Sequence, residues 1–568
     1  MKRWLIAAGL LAACSSPPEP APSLFAEPAA TPAVAAVDTG LRFDDVTPAS
    51  GLAWTHRAGR APDKWIPEVL GGGVALIDVN RDGAVDVLLV GSGTLQPAVA
   101  GAPALFLNDG SGSFTDATQA WGLSAAGYAM GVAAADYDGD GWTDVYLTSF
   151  DGTDRLLRNT GTRFDDATAA VGLEPAGWST SAAWFDLEGD GDLDLYVVRY
   201  IDYSLDSALK CWFRTIHLYC TPALYEAQSD RLFRNDGDRF VDVSVEAGVA
   251  AHAAKGLAVA TGDLDRDGDV DLYVADDISR NLLLRNAGGR FEDAALPAGV
   301  AYSEFGREEA SMGASVGDVD GDGGWDLAVT NFQAEPTSLY VRQGHGGYRE
   351  QADKLGVGAS SRSRLSFGIE FFDADNDGDE DLVTANGHIA DNVAEYREGV
   401  AFAQRNSLYR NDGGRFVDAS VGSGSGLDHR GVSRGLAVGD LDGDGGLDLV
   451  VVNNDGPVLL AANRGERGHW ISLWLDGDGG NRDAIGAVVT ATVGGRRIER
   501  EVRGASSYLS VSDRRVHLGI GAAEVVDELR IRWPSGVEQV WTSVGADRHL
   551  RVKQGGEPTE YTPGSASP

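Results

Sequence analysis

Seven stretches of the form D-x-D-x-D-G-x-x-D punctuate the sequence, starting at Asp78, Asp136, Asp186, Asp263, Asp318, Asp373 and Asp440. Each puts oxygen-bearing side chains at its positions 1, 3, 5 and 9. These are Asp78, Asn80, Asp82 and Asp86 in the first, Asp136, Asp138, Asp140 and Asp144 in the second, and Asp186, Glu188, Asp190 and Asp194 in the third. Asp263, Asp265, Asp267 and Asp271 follow, then Asp318, Asp320, Asp322 and Asp326, then Asp373, Asp375, Asp377 and Asp381, and last Asp440, Asp442, Asp444 and Asp448. Calcium takes about six to eight hard oxygen ligands, and a short loop can supply them from alternate side chains and a backbone carbonyl. Gly at position 6 permits the sharp turn that aims those oxygens inward. The spacing therefore points to about one calcium ion per loop, with solvated acidic turns as the alternative. An EF-hand starts with the same letters but needs a bidentate Glu at position 12 and helices on both sides. Position 12 here is Leu89, Leu147 and Val197 in the first three copies, and the flanks of the first are short apolar β-like runs. Two copies depart at position 3. Asn80 keeps an oxygen but loses a charge, which weakens the first site, and Glu188 reaches one methylene further, which shifts the geometry of the third.

Other residues with catalytic potential are less coherent. Gly431-Val432-Ser433-Arg434-Gly435 spells the G-x-S-x-G elbow, which needs a strand-to-helix turn and His and Asp partners. Ser433 falls in an apolar run leading into the seventh loop, so a strand is expected there. His217 and His388 are lone histidines, for which packing or surface roles are expected. Paired carboxylates can perform acid–base chemistry, but repetition across the chain favours metal binding over a single active site.

The elements that position the loops are short strands. After Asp271-Leu272-Tyr273-Val274 comes Leu282-Leu283-Leu284-Arg285-Asn286, a Gly turn, and Arg290-Phe291-Glu292-Asp293. With Gly256 to Ala260 ahead of the loop, this makes four strands, one propeller blade. The phrase recurs at Leu232 to Gly237 and Leu408 to Gly413. Loop starts are 50 to 77 residues apart, a period typical of propellers and solenoids. No helical period runs between them. The fold class expected is all-β: a seven-bladed β-propeller over residues 41–467, then a small β domain over 468–553. Arg42-Phe43-Asp44-Asp45 is a last strand without its predecessors, whereas the seventh unit lacks that strand, so the two ends should pair and close the ring. Insertions at 199–228 and 386–406 break the rhythm, and either form a contact surface or cap the ring. After Trp470 arginine becomes frequent, alternating runs such as Ala487 to Val493 read as hairpins, and 554–568 reads as a flexible tail.

Charge and compartment agree with this plan. The net charge is −38, and the seven loops hold 27 acidic groups, so most of the acidity sits at ligand positions. No basic stripe suggests nucleic acid. Met1-Lys2-Arg3 followed by an apolar run from Trp4 to Ala13 reads as a secretory signal, too short to span a bilayer. Leu11-Ala12-Ala13-Cys14 resembles a bacterial lipobox, which implies cleavage after residue 13 and lipidation of Cys14. Ser15 after it resembles the outer-membrane sorting pattern. Residues 15–40 are Pro- and Ala-rich, a disordered tether. In an exported chain the remaining cysteines, Cys211 and Cys220, are expected to form a disulfide. A metal pair is the alternative, and no nearby Cys/His set completes one.

The seven units resemble FG-GAP/VCBS repeats, the integrin-α-type propeller with calcium in its blade loops. Asn481 to Ala487, Arg503-Gly504-Ala505-Ser506-Ser507-Tyr508-Leu509-Ser510 and Val526 to Gly536 resemble the ASPIC/UnbV domain. Asn386-Gly387-His388-Ile389 and Val452 to Pro457 resemble recurrent phrases of the cartilage acidic protein family. Residues 42–550 as a whole resemble a bacterial member of that family. The resemblance implies fold and calcium, and fold alone does not license function. The expected role is a calcium-binding, lipid-anchored adhesion or binding module for a protein or glycan, at the outer membrane of a Gram-negative bacterium, with calcium structural. The alternative is a hydrolase or lyase on a polysaccharide or phosphoester, with its site on the insertions. A third reading is an assembly scaffold whose Arg-rich tail docks on an acidic partner or on its own ring.

Overall fold

The computed structural model describes residues 37–565 apart from 126 and 175. The signal segment 1–14, Cys14 and most of the tether lie outside the described residues, among which no helix is long and apolar enough to cross a membrane.

Seven antiparallel sheets follow one another along the chain, each built on four strands, the fourth with Glu309–Ala310 added beside its second strand. Their first strands are Val74–Ile77, Ala129–Ala135, Ser179–Phe185, Gly256–Gly262, Ala314–Gly317, Ser366–Phe372 and Ser433–Gly439. Each of these packs against the next, and the last packs against the first, so they line a closed ring. They are buried along their whole length. This explains why they read as continuous small or apolar runs rather than alternating ones. The ring closes as the complementary chain ends imply: Phe43–Asp45 pairs with Leu459–Asn463, Phe43 opposite Asn463, and completes the seventh sheet.

Two further four-stranded sheets follow the ring. One holds His469–Asp476, Val516–Gly521, Arg548–Lys553 and Thr559–Tyr561. The other holds Val488–Val493, Arg496–Glu501, Val525–Arg532 and Glu538–Gly545. Their apolar faces meet over Ile471, Leu473, Val489, Leu529, Ile531 and Trp533, in a cluster continuous with Tyr146 and Trp184 of the second and third blades. The tail differs from the sequence reading, because Thr559–Tyr561 is an edge strand beside Arg548–Lys553. Tyr561 supplies the reason: its ring lies against Trp474 and His549, and its hydroxyl accepts from Arg515 at 3.2 Å.

The segment Gly504–Ser512 leaves the second of these sheets and enters the ring. Its backbone and side chains bond to the first strand of every blade. Leu76 N donates to Val511 O at 2.9 Å, Val132 N to Leu509 O at 3.1 Å, and Leu509 N to Ser181 Oγ at 3.3 Å. Thr261 N donates to Ala505 O at 3.1 Å, Ser507 N to Ala314 O at 2.7 Å, Ile369 N to Ser507 Oγ at 3.2 Å, and Ser507 Oγ to Leu436 O at 2.9 Å. Tyr508 sits at the tip, fully buried, with its hydroxyl donating to Leu70 O at 2.9 Å. Ser507 and Leu509 on either side have φ of 66° and 56°, a left-handed conformation that ordinary residues adopt only when surroundings impose it. The approach is close enough to require glycine on both sides. A Cβ on Gly73 would lie 2.2 Å from Leu509 O, and one on Gly504 1.7 Å from Trp184 O.

Candidate metal centres and the ring face opposite them

Each acidic loop joins the first and second strands of its blade, so all seven open on one face of the ring. The local fold is the same throughout. The position-1 Asp accepts the position-6 Gly N–H through Oδ2, at 2.7–3.1 Å. The position-5 Asp accepts the N–H two residues on, holding the turn. The position-9 Asp uses both oxygens. One accepts the position-2 N–H. The other accepts an N–H from the third strand. That third-strand residue is Asn108, Asn159, Asn235, Asn286, Asn411 or Asn463, and its Nδ2 reaches across to a loop carbonyl of the preceding blade. In the fifth blade Arg342 makes the equivalent reach, to Asp265 O at 3.1 Å. The recurring Arg-Asn phrase is thus a clasp between blades. The repetition is visible in the sequence, whereas the partner across the blade boundary is not.

Two separate observations single out five of the seven loops. Three carboxylates converge to within 4.8 Å in each of Asp136/Asp138/Asp144, Asp263/Asp265/Asp267, Asp318/Asp320/Asp326, Asp373/Asp375/Asp381 and Asp440/Asp442/Asp448. In the same five loops a buried carboxylate oxygen has no hydrogen-bond partner: Oδ1 of Asp136, Asp263, Asp265, Asp318, Asp375 and Asp442. An unpaired buried oxygen beside two other carboxylates is an arrangement that could hold a cation. Burial, reinforced by the neighbouring acids, pushes the pKa of Asp136 up to about 7 and that of Asp373 up to about 8. The first and third loops show neither feature among the described residues. There Asn80 Nδ2 donates to Asp82 Oδ2 at 2.9 Å, and Glu188 leans toward Arg234, 3.7 Å away. Arg515 of the C-terminal region also reaches the first loop, donating to Gly83 O at 3.0 Å. These are the two loops with an altered position 3.

The C-terminal region covers this face. Asp136 N donates to Asp483, Asp263 N to Glu501, and Gly521 N to Asn376 O at 2.7 Å. Arg496 donates to Asp377 O at 2.6 Å.

The insertions lie on the opposite face, since both join a second strand to a third. Cys211 and Cys220 form a disulfide that closes the hairpin Cys211–Phe213/Ile216–Leu218. The hairpin rests on the other insertion through Asn392 Nδ2, which donates to His217 O at 3.0 Å. Beside it, Lys64 sits over the Tyr219 ring and pairs with Asp391. Trp212 is 60% exposed, with its ring stacked on His217 at 4.5 Å. His388 is buried, its Nδ1 accepts Ala390 N–H at 3.0 Å, and burial drives its pKa down to about 3. Ser433 lies in a strand, its hydroxyl 2.8 Å from Asn453 Oδ1.

One blade carries an anomaly with a measurable consequence. Five residues after the position-9 Asp, blades five to seven have Asn331, Asn386 and Asn453, each donating Nδ2 to a backbone carbonyl at 2.7–2.9 Å. The fourth blade has Asp276, fully buried with neither oxygen partnered. Burial first, and Asp230 second, push its pKa well above the ordinary carboxylate value. A raised folded-state pKa favours the fold at low pH and penalises it as pH climbs through that value. Asp276→Asn is therefore expected to match the parent in urea midpoint near pH 4, and to exceed it by about 1–3 kcal/mol in unfolding free energy at pH 8.5. An equal difference at both pH values would contradict this account.

Comparison with known proteins agrees with the architecture. Residues 477–559 match the ASPIC and UnbV family. Residues 78–147, 136–197 and 263–329 match the FG-GAP-like repeat. Cartilage acidic protein 1 of Mus musculus is 27% identical over 300 residues, covering 52% of this chain and 44% of that protein. The Homo sapiens protein is 26% identical over 304 residues, covering 52% and 43%. The match thus spans less than half the length of these curated relatives. Among solved structures, an Agrocybe aegerita lectin described as recognising non-reducing terminal N-acetylglucosamine has a TM-score of 0.38 at 15% identity, covering 68% of this chain and 86% of its own. BBS1N in complex with ARL6DN has a TM-score of 0.39 at 10% identity, covering 74% and 96%. The chain is one of FG-GAP-like repeats followed by an ASPIC and UnbV domain, the architecture of cartilage acidic protein 1.

Proposed function

We propose that this chain is a calcium-stabilised binding module of the cell envelope, exported, lipid-anchored at Cys14 in the outer membrane, and holding a protein or glycan ligand on the ring face that carries the two insertions. Calcium neutralises the converging carboxylates and fixes the turn between first and second strands; Asp136, Asp263, Asp318, Asp373 and Asp440 anchor those sites. The observation that carries the reading is the disposition of the two faces. The loop face is covered by the C-terminal region and the ring interior is filled by Gly504–Ser512. The opposite face presents a disulfide-closed hairpin with an exposed tryptophan. Exposed aromatic anchors on rigid hairpins are typical of recognition surfaces.

The test is retention of the full chain on a panel of immobilised polysaccharides and envelope proteins, in calcium, beside Trp212→Ala. Trp212 is surface-exposed, so the variant should keep the parent's melting temperature. Retention of the parent that falls at least about tenfold in the variant, a loss of about 1.4 kcal/mol, supports the reading. Equal retention of both would remove this face from consideration.

A further inference from the structure

A cleft of about 260 Å³ lies where the first two acidic loops meet the C-terminal region. Its walls carry Arg81, Arg482, Arg514, Arg515, Arg551 and Lys553. Half of these cations are matched by neighbouring acids: Arg514 with Asp483 at 3.0 Å, Arg515 with Asp513 at 2.8 Å, and Arg551 with Asp476 at 2.5 Å. Arg81, Arg482 and Lys553 have no carboxylate partner among the described residues. The remaining acids of the wall, Asp78 and Asp136, turn into their own loops, where each accepts a glycine N–H.

The unmatched cations are gathered rather than scattered. Arg81 has φ of 59°, and its guanidinium is held 5.7 Å from the Trp142 ring centre. A Cβ on Gly141 would lie 2.5 Å from Arg81 Nη1 and 3.9 Å from Arg482 Nη1, so two guanidinium groups flank one glycine. Like charges held this close repel unless an anion shares them. Arg515, which lines this cleft and the adjoining one, adds a donor: its Nη2 is buried without a partner, on a side chain only 9% exposed. A buried N–H left unpaired calls for an acceptor. Trp474 adds a flat aromatic wall, with the Arg551 guanidinium 4.4 Å over its ring.

Planar guanidinium groups bind carboxylate and sulfate in bidentate fashion, and convergence of several gives selectivity for an oxyanion over a neutral group. The cleft volume suits one monosaccharide-sized ligand. We propose that this cleft is a second binding site, taking an oxyanion, carboxylate or sulfate ester, borne on a sugar-sized group. It lies on the metal-loop side of the ring, so it stands or falls separately from the face that presents Trp212.

The test is calorimetric titration of the full chain in saturating calcium at fixed ionic strength, with sodium glucuronate, inorganic sulfate and neutral glucose. The variants are Arg482→Gln and Lys553→Gln, both on exposed side chains and so compatible with folding, with melting temperatures measured in parallel. Saturable binding of glucuronate, sulfate or both supports the site, provided that it weakens roughly tenfold or more in each variant at unchanged melting temperature. Glucuronate alone identifies a uronate as the source, and sulfate alone a sulfate ester. No saturable heat with either anion, equal binding of glucose, or anion binding that persists in both variants would overturn the proposal.

Discussion

Chelation of calcium is expected to lower the melting temperature of this chain by more than about 10 °C, and metal analysis of the calcium-equilibrated protein is expected to find five bound ions rather than seven. The count follows from geometry. Five loops bring three carboxylates to within 4.8 Å, and those loops alone leave a buried position-1 or position-3 oxygen unpaired. Two unit charges just under 5 Å apart repel by about 3 kcal/mol at an effective dielectric near 20, and each triad contains three such pairs. A divalent cation removes that repulsion and satisfies the orphaned oxygens together. Mass action sets the scale of the effect: each site filled at a hundredfold excess over its dissociation constant adds about 2.7 kcal/mol. Several such sites amount to a substantial shift even for a ring of this size. The two excluded loops give an internal control. Glu188→Asp shortens the side chain that leans toward Arg234 and restores the position-3 residue of the five converging loops, so it is expected to raise the count to six. Seven ions in the parent would show that convergence without metal is a poor guide. No bound calcium and identical melting in chelator would leave the loops as acidic turns.

What was legible in the sequence was whatever repeats locally. The acidic loops, the blade phrase and the missing last strand of the seventh unit are each spelled within a few residues, and each corresponds to an element of the ring. The departure of the first and third loops from the common geometry was legible as well, because Asn80 and Glu188 sit in the ligand register. The second role of position 5 was not. Asp82, Asp140 and their counterparts read as ligands, and in the structure one oxygen of each also accepts the backbone N–H two residues on, while Asp267 is the position-5 residue that joins a converging triad among the described residues. Ligand spacing and Asx-turn spacing coincide at that position, so the letters do not distinguish them. The least legible feature was the deepest. Arg503 to Ser510 stood out as a family phrase, but its partners lie up to 438 residues away in the chain. No periodicity in the segment announces a path through a ring.

That path leads to the second large effect. Gly504–Ser512 is bonded to the first strands of all seven blades, so its removal acts on the whole ring rather than on one interface. Tyr508→Ala is expected to cost about 3–5 kcal/mol, the range for emptying a large aromatic site in a packed core. Tyr508→Phe is expected to cost only about 1 kcal/mol, for the hydrogen bond to the Leu70 carbonyl. Replacing residues 505–511 with a glycine–serine linker of equal length goes further, because it removes the ring contacts while keeping the covalent connection. In the parent, the C-terminal sheets share a core with the second and third blades and are threaded to the rest, so calorimetry in calcium should record one cooperative transition. In the linker variant the ring and the C-terminal sheets should unfold separately, the ring at the lower temperature. The ring interior should at the same time become open to protease, since the first strands lose the backbone partners that Ser507, Leu509 and Val511 supply. A parent that already melts in two steps, or a linker variant that melts in one step at the parent's temperature, would mean that the segment only occupies the ring and does not hold it together.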